Sequence, residues 1–319
     1  MTETVADTAD DAAPASPSAP VTSGPRAGLL FALGLIWLAA TAWAAHFEIG
    51  LDEQTPSVAL STAANALAAV VAASLVAGAA AGLFATSLVA RRAAPAAEGS
   101  PVRRLVVGLA SGLVLGAASA GLVFAGLGTT GEVTRVAVTV GIGAVLGSVT
   151  ATLPRSVLAA GLAGTFGALV LSVAFGLLQP RLVDLFRASD TAGQAGATLT
   201  VAYVQALVCG ALAGVLAFWS LRGHGSRAWP WYLLAGLTPG LALLVTEVLT
   251  RVGGAPLLDL VRSLSDADAA AIDVINFGRL RSGLLILFAG ALTAMIAVGR
   301  TLRAAARPAP DDADADAAS

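Results

Sequence analysis

The chain has 319 residues, of which 57% are hydrophobic and 12% are charged, and its mean hydropathy is +0.83. Soluble domains carry about 25% charged residues, so this chain has too few to cover a surface that faces water. The composition therefore predicts an all-α, polytopic integral membrane protein in contact with the lipid bilayer. The net charge of −2 argues against nucleic acid as a partner, because such proteins need a basic stripe.

The two ends of the chain differ in composition from the rest. Residues 1–25 and 306–319 are acidic and rich in small residues, with too little apolar surface to form a core. We expect both to be disordered tails that flank a transmembrane domain at 26–305. All basic residues are arginine, and alanine and glycine are abundant, which is typical of proteins from high-GC bacteria.

Apolar stretches long enough to cross a bilayer, which takes about 20 helical residues, recur along the chain. We predict about eight spans, at 27–46, 66–90, 105–127, 134–153, 156–178, 198–221, 230–250 and 280–299. The short connection between the fourth and fifth spans, Leu153-Pro154-Arg155-Ser156, predicts an antiparallel hairpin. The second helix can begin as early as Pro56, which leaves its outer end undecided.

Arginine placement predicts the orientation, because loops rich in basic residues face the cytoplasm. When the spans alternate in direction, most arginines fall at one end of the bundle and most acidic side chains at the other. The arginines of the first end are Arg26, Arg91, Arg92, Arg103, Arg104, Arg155, Arg222, Arg227, Arg300, Arg303 and Arg307. We predict a multi-pass protein of the plasma membrane with both termini in the cytoplasm and an acidic outer face.

The last outer loop, residues 252–279, has an amphipathic pattern. Pro256 can open a helix with an apolar face, and a second short helix is expected to end near Phe277. Two interpretations remain open. The segment is either a helical hairpin on the membrane surface or a loop that packs on the bundle.

Glycines spaced four residues apart recur within the spans. They are Gly78/Gly82, Gly108/Gly112/Gly116, Gly143/Gly147, Gly210/Gly214 and Gly236/Gly240. Such faces let helix backbones approach closely, which replaces the hydrophobic driving force that is missing in lipid. We expect tight packing within the bundle. The same faces are candidate contacts with a membrane-protein partner or a second copy.

Two of these glycine segments resemble each other. Residues 76–85 and 208–217 share their two glycines and several alanines, and both lead to an arginine at the predicted cytoplasmic end. The pairing predicts a 4+4 parallel internal repeat, although helices rich in alanine and glycine also align by chance. Interrupted helices at matching positions of such repeats indicate transporter sites.

Polar side chains inside the spans are few, so their positions are informative. Asn65, Gln205 and Glu247 are all predicted in the outer half of the bilayer, and Pro239-Gly240 predicts a kink in the seventh helix. We interpret these five residues as a candidate outer vestibule or hinge. The alternative for Glu247 is an ion pair with Arg251, four residues later, in which both side chains reach toward water.

No catalytic, metal-binding or cofactor-binding motif is present in the sequence. The chain has one cysteine and two histidines, and it lacks the lysine that a phosphate-binding glycine loop requires. We therefore expect no enzyme activity, no cofactor and no metal. The leading hypothesis is a permease-like or transport-associated protein for a small, weakly polar solute. The alternative is a non-catalytic structural or partner-binding subunit of a cell-envelope complex.

Overall fold

The computed structural model describes residues 24–51, 56–92, 100–127, 131–185, 191–223, 228–263 and 265–305. Nine α-helices lie in these ranges, with a 3-10 turn at Thr150–Thr152. The helices are α1 (Gly24–Leu51), α2 (Pro56–Arg92), α3 (Pro101–Leu127), α4 (Gly131–Val149), α5 (Arg155–Asp184), α6 (Thr191–Arg222), α7 (Trp229–Gly253), α8 (Ala255–Arg262) and α9 (Asp266–Ala305). The protein is thus all-α throughout the described ranges.

Eight of these helices, all except α8, are long and apolar enough to cross a membrane. Their spans are Arg26–Phe47, Ala66–Arg92, Pro101–Gly126, Val133–Thr152, Arg155–Asp184, Gly196–Arg222, Trp229–Gly253 and Ile272–Thr301. The predicted helical membrane fold is confirmed, and the second helix does begin at Pro56. Most of the two predicted tails, residues 1–23 and 306–319, lies outside the described residues.

The first four helices and the last four membrane helices pack in the same order. In the first half, α1 packs on α2, and both α2 and α3 pack on α4. In the second half, α5 packs on α6, and both α6 and α7 pack on α9. The predicted 4+4 arrangement is therefore present in the packing of the helices.

The matching glycine segments occupy equivalent places in the two halves. Gly78 of α2 approaches the backbone of Ala144 on α4, and Gly210 of α6 approaches the backbone of Ile286 on α9. One turn later, Gly214 approaches the carbonyl group of Gly290, also on α9. In each half, the second helix thus uses its glycines to contact the last membrane helix of that half.

The other spaced glycines also face neighbouring helices of the same chain. A methyl group added at Gly147 of α4 would overlap the carbonyl oxygen of Leu75, and one added at Gly116 of α3 would come within 2.7 Å of the Gly141 carbonyl oxygen. The glycine faces proposed as contacts with another protein are therefore occupied inside the bundle, where they bring backbones together.

Helix α2 lies at the centre of the bundle. Within its apolar segment 83% is buried, against 22% for the segments of α1, α3 and α9. It contacts helices of both halves, including α1, α3, α4, α5 and α7. The two halves therefore meet around α2.

The segment after α7 packs on the bundle, as the second interpretation of the outer loop predicts. Helix α8 contacts α2 and α9, and its Leu258 and Val261 are buried together with Ile272 of α9. Arg262 donates a hydrogen bond to the Asp273 carboxylate at 2.7 Å, and this bond raises the pKa of Arg262 above its ordinary value. Contacts with both helices thus hold α8 in place.

The prediction of a second short helix ending near Phe277 is wrong. Helix α9 continues unbroken from Asp266 to Ala305 and includes the last membrane span. Nothing in this stretch ends a helix, because it lacks proline, and Gly278 sits inside it without interruption. The polar start of α9 and its apolar continuation are one element.

Candidate functional site

A partly open cavity of about 230 Å³ lies between the two halves, at mid-depth in the bundle. One wall comes from the first half, through Trp37 of α1 and Ala72 and Val76 of α2. The opposite wall comes from α5, α6, α7 and α9 of the second half. No charged side chain lines this cavity, so an ion inside it would lose its hydration without gaining a partner.

Apolar packing separates the cavity from the end of the bundle that carries Arg91, Arg92, Arg103, Arg104, Arg155, Arg222 and Arg300, which we call the arginine-rich end. On this side Leu30 of α1, Leu83 of α2, and Leu158 and Leu162 of α5 form one buried cluster. Along their helices, these side chains lie between the cavity residues and the arginine-rich end, so the space on that side is filled by packed apolar groups.

A second apolar cluster lies between the cavity and the opposite end of the bundle. Leu67 and Val71 of α2 pack with Val140 of α4, and Leu249 of α7 packs against them. At the end of α7, Gly254 approaches the Leu67 side chain. Packed apolar side chains thus lie on both sides of the cavity along α2, toward each end of the bundle.

The polar groups of the wall are neutral, and most have a partner within the protein. The Thr165 hydroxyl donates to the Gly161 carbonyl oxygen of its own helix at 2.9 Å. The Cys209 thiol donates to the Ala168 carbonyl oxygen at 3.6 Å. Only the Cys209 bond joins α6 to α5, and both groups offer little hydrogen-bonding capacity to a ligand.

The pair formed by Gln205 of α6 and Ser172 of α5 differs from these groups, because it keeps hydrogen-bonding capacity that a ligand can use. The Gln205 side-chain amide donates to the Ser172 hydroxyl oxygen at 2.8 Å, and both residues line the cavity. This bond leaves the Gln205 carbonyl oxygen as an acceptor, and the second amide hydrogen and the Ser172 hydroxyl hydrogen as donors. The wall therefore carries a compact polar spot on a mostly apolar surface, to which Ser282 of α9 adds a further hydroxyl group.

The other predicted site residues do not all lie on this wall. Pro239 lines the cavity beside Gln205, within an α7 that continues through it from Trp229 to Gly253. Gly240 instead packs closely against the backbone of Leu287 on α9. The side chain of Asn65 lies outside the described residues.

Glu247 forms the ion pair that the alternative interpretation predicts. Its carboxylate accepts a hydrogen bond from the Arg251 Nε at 2.7 Å, and Arg251 also donates to the Asn276 carbonyl oxygen of α9 at 3.4 Å. The Glu247 side chain is 5% exposed and that of Arg251 is 47% exposed, so the arginine alone of this pair reaches the surface. Glu247 also interacts electrostatically with Arg279 of α9.

Two threonines flank Glu247 on the buried side of α7. The hydroxyl oxygens of Thr246 and Thr250 are buried and have no hydrogen-bond partner among the described residues. They lie one and two turns beyond the cavity residues Ala242 and Leu243 on the same helix face. On this face of α7, polar groups therefore continue from the level of the cavity toward the end of the helix that carries Arg251.

Sequence reasoning missed Ser172, the partner of Gln205, and Arg279, the second charge near Glu247. Serines in membrane helices usually bond to their own backbone, as Ser111 does to Gly108 here, so a serine in a span carries little signal. Arg279 was assigned to an outer loop, because α9 was expected to enter the membrane only at residue 280.

The chain matches no family model, and comparisons with curated proteins and with solved structures give no match.

Proposed function

We propose that the protein is a non-catalytic, transport-associated membrane protein whose central cavity binds a small, uncharged and weakly polar solute. The observation that carries this proposal is the cavity of about 230 Å³ at mid-depth between the two halves. A void of about 150 Å³ in a protein core is enough to hold a benzene molecule. The cavity is therefore large enough for a compact solute of comparable or somewhat greater size.

The lining favours a particular chemistry. Most of the wall is apolar, and the free donors and acceptor of the Gln205–Ser172 pair sit together at one place. A solute with one amide or hydroxyl group on a small carbon skeleton would satisfy both parts of the wall. A permanently charged solute would not, because the wall has no charge to pair with it.

Proteoliposomes that contain the protein are expected to take up small neutral alcohols or amides faster than protein-free vesicles. The rate is measured from light scattering after an osmotic jump with each solute. The variant Ala202→Phe is expected to return the rate to that of protein-free vesicles, because Ala202 lines the cavity and a phenyl ring would fill it. Gln205→Leu is expected to slow amides more than alkanols of the same size.

Leu122→Phe is the matched control, since Leu122 is 65% exposed on the lipid-facing side of α3. If the wild-type rates equal those of empty vesicles for every solute, or if Leu122→Phe slows uptake as much as Ala202→Phe, the transport proposal fails.

We also propose that the arginine-rich end faces the cytoplasm of a bacterial cell, because basic residues favour that side of a plasma membrane. The last arginines of α9 then place the C-terminal tail inside the cell. An epitope tag appended after Ser319 is expected to resist protease in intact cells and to be cleaved after lysis. Cleavage of the tag in intact cells would contradict this orientation and place the arginine-rich end outside the cell.

A further inference from the structure

A small cleft at the arginine-rich end gathers three arginines from two helices. Arg103 and Arg104 of α3 and Arg155 of α5 line it, together with Ser100 and with residues of α2. The space is about 20 Å³, and its lining among the described residues, which leave out 93–99, contains no acidic side chain. A cleft of this size does not enclose a nucleotide or a sugar, so a ligand would contact the arginines from the surface.

The position of this cleft follows from the glycine packing of α3. Gly108 lies against Ser148 and Ala151, so the start of α3 is held beside the turn that joins α4 to α5. Helix α5 begins at Arg155, directly after Pro154. Arg104 and Arg155 are half-buried in the lining of the cleft, and Arg103 is exposed.

The backbone adds positive potential to that of the guanidinium groups. Two long helices, α3 with 27 residues and α5 with 30 residues, both begin at the cleft. Helix N-termini carry partial positive charge and backbone N–H groups with no acceptor inside the helix, and α5 has no side-chain cap. The arginines and both helix starts therefore favour the same kind of ligand, an anion with several oxygen atoms.

The surroundings of the cleft distinguish a lipid headgroup from a free anion. Below it, Val102, Val106 and Leu113 of α3 are 66%, 60% and 61% exposed. Their spacing places them along one lipid-facing side of the helix, leading from the cleft toward the middle of the membrane. A molecule with a phosphate at the cleft and a hydrocarbon chain along this strip would satisfy both surfaces.

We propose that Arg103, Arg104 and Arg155 bind the phosphate of an anionic phospholipid, with one acyl chain lying along the exposed face of α3. Basic pockets between membrane helices at the level of the headgroups are suited to such lipids. The site is separate from the central cavity, and it does not depend on whether that cavity conducts a solute.

The test compares phosphatidylglycerol with phosphatidylcholine on the purified full-length protein, with bound lipid measured by native mass spectrometry over a concentration series. The wild type is expected to prefer phosphatidylglycerol. The double variant Arg104→Gln/Arg155→Gln is expected to weaken phosphatidylglycerol binding about tenfold or more, because it removes two charge-assisted contacts. The double variant Arg222→Gln/Arg300→Gln, which alters the same end outside the cleft, is expected to bind as the wild type does.

A separate arm adds inorganic phosphate in millimolar excess. Retention of the lipid under these conditions supports a headgroup site. Full displacement of the lipid, together with no preference for phosphatidylglycerol, would mean that the cleft binds free phosphate and not a lipid. Equal losses in both double variants, or none in either, would overturn the cleft assignment. If Arg104→Gln/Arg155→Gln does not fold, the exposed Arg103→Gln serves as the second variant, and it must also weaken phosphatidylglycerol binding.

Discussion

Replacing Gly78 with alanine is expected to lower the free energy of unfolding by about 1–3 kcal/mol, the usual cost of overpacking a filled core. The added methyl group would overlap the backbone carbonyl of Ala144, which is part of α4 and cannot rotate away as a side chain can. Helices α2 and α4 would have to separate along much of their contact. Unfolding by sodium dodecyl sulfate in mixed micelles, followed by circular dichroism, measures the change.

The 4+4 packing extends this prediction to the second half. Gly210→Ala is expected to cost a similar amount, because its methyl group would come within 2.7 Å of the Ile286 carbonyl oxygen on α9. Gly121→Ala is the control, since nothing lies within 4 Å of a methyl group at that position on α3. Similar stability for all three variants would mean that the glycine contacts do not stabilise the helix packing within each half.

The Glu247–Arg251 pair is expected to show a coupling free energy of about 1.5–3 kcal/mol, as hydrogen bonds to charged groups do when they are shielded from water. The carboxylate is 5% exposed, and Arg251 links it to the carbonyl oxygen of Asn276 on α9. A double-mutant cycle of Glu247→Gln and Arg251→Gln, measured by the same unfolding experiment, gives this coupling.

The Arg262–Asp273 pair is an exposed ion pair with which the Glu247–Arg251 pair, whose carboxylate is buried, can be compared. Its hydrogen bond has the same length, 2.7 Å, but its side chains are 40% and 68% exposed. A cycle of Arg262→Gln and Asp273→Asn is expected to give about 0–1 kcal/mol, because water screens exposed pairs. If the two cycles give the same coupling, burial of Glu247 contributes nothing to the pair.

Most of the fold follows from local properties of the sequence. A span is recognised from the length and apolar character of its own residues, so the eight membrane helices are predictable one at a time. The 4+4 packing was predictable in part because the glycines at close helix contacts recur in equivalent segments of α2 and α6. The boundary of α9 was missed because its first turns are polar, and hydropathy measures the membrane crossing rather than the length of the helix.

The candidate site was only partly predictable. Gln205 was predictable because a polar amide is rare in a membrane span, and Pro239 because it interrupts the hydrogen bonding of its helix; both line the cavity. Their neighbours on the wall were not, because Ala72 and Val76 are ordinary residues for a membrane helix. A cavity forms where side chains fail to fill a space between helices, and that depends on how α2, α5 and α7 pack rather than on any one of their sequences.

The central position of α2 has a consequence for biosynthesis. This helix is made before α5 and α7, yet it contacts both of them in the folded protein. Until they arrive, the side of α2 that later faces the second half must rest against lipid. Its apolar segment, with a hydropathy of 2.2, allows this, since acyl chains solvate such a surface as well as another helix does. The nascent chain can therefore pause after its fourth span without exposing α2 to water. The cavity forms only when the second half of the protein is inserted beside α2.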